Sequence, residues 1–178
     1  MTARVTALAR DCGADGAVVL KTSAVVQNRA CPDMCSQNAC GAYGSCWMCP
    51  PDAGDIETLM GLVRSYRYAV VFQIVRGLED CFDIESMGKA GEELNVLARR
   101  IRREAAAFLS ECLVLGAGGC RVCKPCAKVQ NRPCPYPAEA LLSLEACGVD
   151  VFQTVKNTSL KYNNGPNTVT FFGMVLFN

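Results

Sequence analysis

Residues 113–135 read "LVLGAGGCRVCKPCAKVQNRPCP". The stretch starts as a short apolar strand and breaks into Gly116, Gly118 and Gly119. It then places Cys120, Cys123, Cys126 and Cys134 within fifteen positions, ahead of Pro135. Upstream, Leu94, Leu97, Ile101, Ala105 and Phe108 form one apolar stripe, so residues 88–112 are expected to be a helix leading into this strand. Downstream, Pro137 to Cys147 is expected to form a helix with Gly148 as its stop.

The rest of the chain repeats this alternation. Val5, Leu8, Ala9 and Cys12 give residues 2–12 a one-sided helix that stops at Gly13, and "GAVVLKTSAVV" (16–26) reads as a strand. Ile56, Leu59, Met60 and Val63 share a helical face over 55–66, with Asp52 or Asp55 as the cap. "YRYAVVFQIV" (66–75) and "NTVTFFGMVLF" (167–177) are further strands, the second preceded by the turn-like "YNNGP". No low-complexity linker or repeat interrupts the chain, so residues 1–178 are taken as a single domain. The expected fold class is α/β (or α+β): a central mixed sheet with flanking helices and at least one parallel βαβ unit. Each cysteine set follows the carboxyl end of a strand. Parallel strands would bring both cysteine-rich, cluster-binding loops to one sheet edge.

Bulk properties narrow the chemistry. A net charge of +1 supplies no field that would favour nucleic acid or a membrane surface. No apolar run reaches the ~18 residues of a transmembrane span. "MTARVTALARDCGADG" has no long apolar core, because Arg4 and Arg10 interrupt it, and the chain is read as cytoplasmic. An odd count of thirteen cysteines in a reducing compartment argues for metal binding or burial rather than a disulfide framework. With no histidine, any metal site is thiolate-rich, and histidine-dependent catalytic dyads and triads are excluded.

Cys120-x2-Cys123-x2-Cys126 has the core spacing of a bacterial ferredoxin ligand run, with Cys134-Pro135 closing the site after a wider interval than usual. Three thiolates at i, i+3 and i+6 let a looping backbone wrap one iron–sulfide cube, and the glycines before them let the main chain approach it. A four-cysteine zinc site is the alternative. The other set, "CPDMCSQNACGAYGSCWMCPP" (31–51), offers Cys31, Cys35, Cys40, Cys46 and Cys49, one more than a four-thiolate site needs. Cys31, Cys35, Cys40 and Cys49 are the expected ligands of a second [4Fe-4S] cluster, with Cys46 spare or exchangeable. Zinc is again the rival.

"CGAYGSCWMCPP" resembles the C-x-x-Y-G-x-x-W-x-C-P-P signature of domain-of-unknown-function family 2284, whose members are predicted metal-binding proteins. "GGCRVCKPCAKVQNRPCPYPAEALLSLEACGVDV" resembles that family's second signature. The resemblance implies metal binding and makes Cys40, Cys49, Cys120, Cys123, Cys126 and Cys134 the family's cysteine positions. Cys31 and Cys35 are spaced more widely than the family's upstream cysteines, and Cys46 stands where a non-cysteine residue is expected. The family supplies no reaction.

Cys12, Cys112 and Cys147 read as buried structural thiols. Cys81 lies among Glu79, Asp80 and Asp83, whose charge disfavours its thiolate. Tyr43 and Trp47 are placed to shield a cluster or simply to pack their loop. "RRIRRE" (99–104) is expected to be a solvated helix face; its alternative is a dock for an acidic redox carrier. The expectation is thus an iron–sulfur protein carrying electrons for a redox partner protein, without nucleic acid or membrane. A cluster-dependent enzyme using Lewis-acid or sulfur-transfer chemistry, a structural zinc protein and a cluster carrier are the alternatives.

Overall fold

The computed structural model describes residues 1–31 and 33–178. Its elements are α1 (Thr2–Asp11), β1 (Gly16–Lys21), α2 (Cys31–Cys35), α3 (Ile56–Arg64), β2 (Tyr68–Gly77), α4 (Ile84–Ala105), β3 (Cys112–Leu115), α5 (Val151–Val155) and β4 (Thr168–Phe177). Asp55, Asp83 and Asp150 cap α3, α4 and α5. Each accepts from a main-chain N–H three residues on and so satisfies a donor that the first helical turn leaves free.

The strands form one sheet in the order β1-β2-β4-β3, and every adjacent pair is antiparallel. The fold is α+β. The α+β alternative of the expected class thus holds, while the sheet is antiparallel throughout rather than mixed. β2 and β3, joined through α4, do point the same way, because both pair antiparallel with β4. The C-terminal strand is inserted between them and splits the βαβ unit. Local sequence cannot announce that insertion, since the pairing spans the chain from residue 68 to residue 177.

β2 is covered on both faces. Val70, Phe72 and Ile74 point to one core with Val5, Leu94, Ala98, Ile101 and Phe177, closed by α1 and α4. Ala69 and Val71 point the other way, to Leu59, Val63, Leu144, Cys147, Val155, Met174 and Leu176. The period-2 alternation of a strand therefore feeds two cores, so β2 is apolar almost throughout. At Gly173 the sheet also needs the absence of a side chain, since a Cβ there would stand 2.3 Å from the Phe72 ring.

The helix expected over 137–147 does not form. Gly116 N–H donates to the Leu142 carbonyl at 2.9 Å and Leu144 N–H to the Gly116 carbonyl at 3.0 Å, a parallel bridge that holds residues 142–144 beside β3. The apolar residues at 141, 144 and 147 still face inward, but only single turns form on either side of the bridge, closed by Ala140 N–H on the Tyr136 carbonyl and Cys147 N–H on the Ser143 carbonyl. Among the described residues, no helix is long and apolar enough to cross a membrane.

Candidate metal centre

β1 and β3 run in opposite directions, so their carboxyl ends do not share a sheet edge, contrary to expectation. The cysteine segments still meet, by another route. After β1 the chain turns over the face that carries α3. Asn28 N–H donates to the Gly148 carbonyl at 2.7 Å and Asp150 N–H to the Val26 carbonyl at 2.9 Å. The Gln27 amide donates to the Met60 and Cys147 carbonyls, both at 3.3 Å. These bonds carry the first cysteine segment to the 140–150 segment, which β3 holds through Gly116.

α2 sets Cys31 and Cys35 one helical turn apart. Asn38, Gly41 and Gly44 all adopt positive φ, and Gly44 N–H closes the following loop onto the Pro50 carbonyl at 3.0 Å. Cys31, Cys35, Cys40 and Cys49 line one cavity of about 380 Å³, which Glu145 and Asp150 also line. These are the four thiols expected for the first site. Cys46 is not among them. It lies with Cys120, Cys123, Cys126 and Cys134 around a narrow cleft of about 20 Å³. A hollow of about 420 Å³ lined by Cys40, Cys46, Cys120, Cys123 and Cys126 joins the two sets. Cys46, Cys49 and Cys120 are packed together as a small buried cluster against Ala42, Met48, Val122 and Ala140.

The second loop is positioned by Asn95, for which the residue pattern gave no expectation, together with the glycines and Trp47. Asn95, 2% exposed on α4, donates to the Ala117 and Gly119 carbonyls at 2.9 and 3.2 Å and accepts from Ala117 N–H at 3.1 Å. Its one legible signal is a polar residue on the apolar stripe of α4, beside Leu94 and three residues before Ala98. A Cβ at Gly116 would lie 2.1 Å from Asn95 Oδ1, and one at Gly119 would lie 2.9 Å from Ala42 Cβ. The glycines thus allow the close approach of both α4 and the first loop. Trp47 Nε1–H donates to the Arg132 carbonyl at 2.8 Å, Lys128 Nζ stands 4.3 Å above the Trp47 ring, and Lys128 pairs with Asp52. Trp47 and Asp52 therefore clamp one cysteine loop to the other.

Within "RRIRRE", Arg100, Arg103 and Glu104 are exposed, as expected of a solvated face, and Arg100 pairs with Glu104, but Arg99 and Arg102 are half-buried. Arg99 donates to the Cys120 carbonyl at 3.4 Å, and burial holds its guanidinium below its ordinary pKa. Arg102 donates to the Ala138 and Ala140 carbonyls, and Arg103 pairs with Glu139. These arginines fasten the segments on either side of the second loop.

Electrostatics separate the thiols. The Cys49 thiol and the main-chain amides of Cys120 and Met48 hydrogen-bond the Cys46 thiolate and draw its pKa down to about 5, against burial, while Cys49 is pushed up. Burial raises Cys31, reinforced by Asp150 and Glu145, and raises Cys35, reinforced by Glu145 and the neighbouring thiols. Cys12 and Cys147 lie in the core as expected, raised by burial to about 11 and about 12. Cys112 is half-buried, and Cys81 is exposed.

Among the described residues, no three Cys, Asp or Glu side chains converge as a ready-made site for a single metal ion. The thiols surround volumes instead. A hollow of about 530 Å³ beside Lys21, Arg64 and Arg67 contains no thiol and has no part in this arrangement.

No curated protein and no solved structure matches the chain. Residues 18–177 match the sequence profile of a family described as predicted metal-binding protein. That span includes all nine cysteines that line the cavity and the cleft, and the chain belongs to this family, DUF2284.

Proposed function

We propose that this protein carries electrons through two [4Fe-4S] clusters, held by Cys31, Cys35, Cys40 and Cys49 and by Cys120, Cys123, Cys126 and Cys134. The observation that carries the reading is the gathering of nine thiols from two distant segments into a cavity and a cleft that meet at Cys46 and Cys49. The donor set fits the group. The proposed ligands are all thiols, and those of the first site line a volume of about 380 Å³. Bound there, such clusters would supply one-electron chemistry.

The chain's own residues supply the surroundings. Met48, Val122 and Ala140 exclude water from the contact between the two sets, which lowers the local dielectric there. The Arg99 guanidinium beside Cys120 offsets thiolate charge. Electrons would arrive from, and leave to, a redox partner protein. With Cys49 and Cys126 bound to metal, Cys46 would sit between anionic groups as a neutral S–H donor.

The test is iron, zinc and acid-labile sulfide content after anaerobic purification, with electron paramagnetic resonance of the reduced protein. About eight irons per chain and two interacting signals are expected. Zinc without sulfide, or clusters that no low-potential donor reduces, would overturn the reading.

A further inference from the structure

Glu145 Oε2 is buried and makes no hydrogen bond, the sole carboxylate oxygen so placed among the described residues. Its side chain belongs to the wall of the Cys31, Cys35, Cys40 and Cys49 cavity. Its position is fixed by a tight turn. Cys147 N–H donates to the Ser143 carbonyl, Gly148 N–H to the Glu145 carbonyl and Val149 N–H to the Leu144 carbonyl, at 3.2, 3.0 and 2.9 Å. Ser143 Oγ also accepts from Ala146 N–H at 3.1 Å. No lysine or arginine pairs with Glu145 among the described residues.

A buried carboxylate oxygen without a partner is costly, and its neighbours make the placement worse. Glu145 shares the wall of that cavity with four thiols that become anionic on metal binding, and Asp150 adds a further carboxylate. No donor among the described residues compensates it. A metal cation would, because a carboxylate in the wall of a thiol-lined cavity is then a donor rather than an orphan.

We propose that Glu145 is an oxygen ligand of the metal group in this cavity, beside the thiolates of α2 and its following loop. The inference rests on the assignment of that cavity to a metal group. One metal atom of the group then carries a hard carboxylate donor, held less firmly than thiolate. Cys40, the exposed thiol of the four, is the ligand with which Glu145 exchanges. The metal atom that gains Glu145 is the one open to an added ligand from the rest of the cavity.

The test uses the full chain, anaerobically loaded, with glutamate labelled with carbon-13 at the side-chain carboxyl. A carboxyl hyperfine coupling in the reduced wild-type protein that disappears in Glu145→Gln supports the proposal; its absence from the wild type overturns it. In parallel, Glu145→Gln should release the metal of this cavity to a chelator about 10–100-fold faster, whichever metal it is, with the second site unaffected. Equal release rates overturn the proposal, and a circular dichroism spectrum matching the wild type excludes misfolding as the cause of a faster one. Cys31→Ser and Cys35→Ser variants keep the two failures apart. If neither loses metal, the cavity binds none and the cluster assignment falls with the ligand; if both lose metal while Glu145→Gln behaves as the wild type, only the ligand falls.

Discussion

Asn95→Ala tests how the second cysteine loop is held. Asn95 is 2% exposed and makes three hydrogen bonds to the 117–119 main chain, at 2.9, 3.1 and 3.2 Å. Truncation leaves the Ala117 N–H and the Ala117 and Gly119 carbonyls without that partner. At a net ~0.5–1.5 kcal/mol per bond, the loss comes to about 2–4 kcal/mol. That is a large share of the ~5–15 kcal/mol typical of a folded domain. Urea unfolding of the metal-free, reduced protein should show the midpoint falling by about 1–2 M at an unchanged slope, for a slope of ~2 kcal/mol per M. The loaded variant should also lose metal from the Cys120–Cys134 site faster than from the Cys31–Cys49 site, because only the former loop hangs on Asn95. A midpoint lowered by less than about 0.3 M, or equal loss from both sites, would refute the reasoning.

Cys134→Ala should lower iron from about eight to about four per chain, whereas Cys46→Ala should keep about eight and shift a reduction potential downward by removing an S–H donor; iron analysis and redox titration decide, and the reverse pattern would make Cys46 the fourth ligand. The metal-free protein should lose stability in alkali. Cys147 and Cys12 ionise in the unfolded chain near their ordinary value of 9.0 but in the fold only at about 12 and about 11, so their contribution is intact below pH 9 and lost as pH rises from there towards those values. Urea midpoints across that range should fall less steeply for Cys147→Ala than for the wild type. Asp52→Asn should loosen the clamp on Lys128 and cost up to about 1 kcal/mol, read by the same unfolding assay, because the pair is only partly screened at 19% exposure on each side.

Much of this protein was legible in its sequence, for a local reason. Periodicity and caps act within a turn or a strand, so α1, α3, α4 and all four strands form in the segments residue patterning gave them, although the strand expected over 16–26 ends at Lys21 and the helix expected over 88–112 runs Ile84–Ala105. Asp55 caps α3 as one of the two candidates named for it. The helix over 137–147 failed because its backbone groups were claimed by Gly116, a partner that no local window contains. The inward roles of Arg99 and Arg102 were not legible because their acceptors are main-chain carbonyls at 120, 138 and 140, which carry no sequence signal.

The sequence by itself determined which residues are the candidates for the chemistry: nine thiols in two segments, no histidine, and glycines where the second loop must pass close to its neighbours. Only the tertiary structure decided how they group. It moved Cys46 from the first set to the second, brought Glu145 to the first cavity and placed Asn95 beneath the second loop. It also joined the two loops across an antiparallel sheet rather than along a parallel edge. The physical reason is that ligand type is a property of each residue, whereas a shared site is a property of long-range strand pairing and main-chain hydrogen bonds, which residue spacing does not encode.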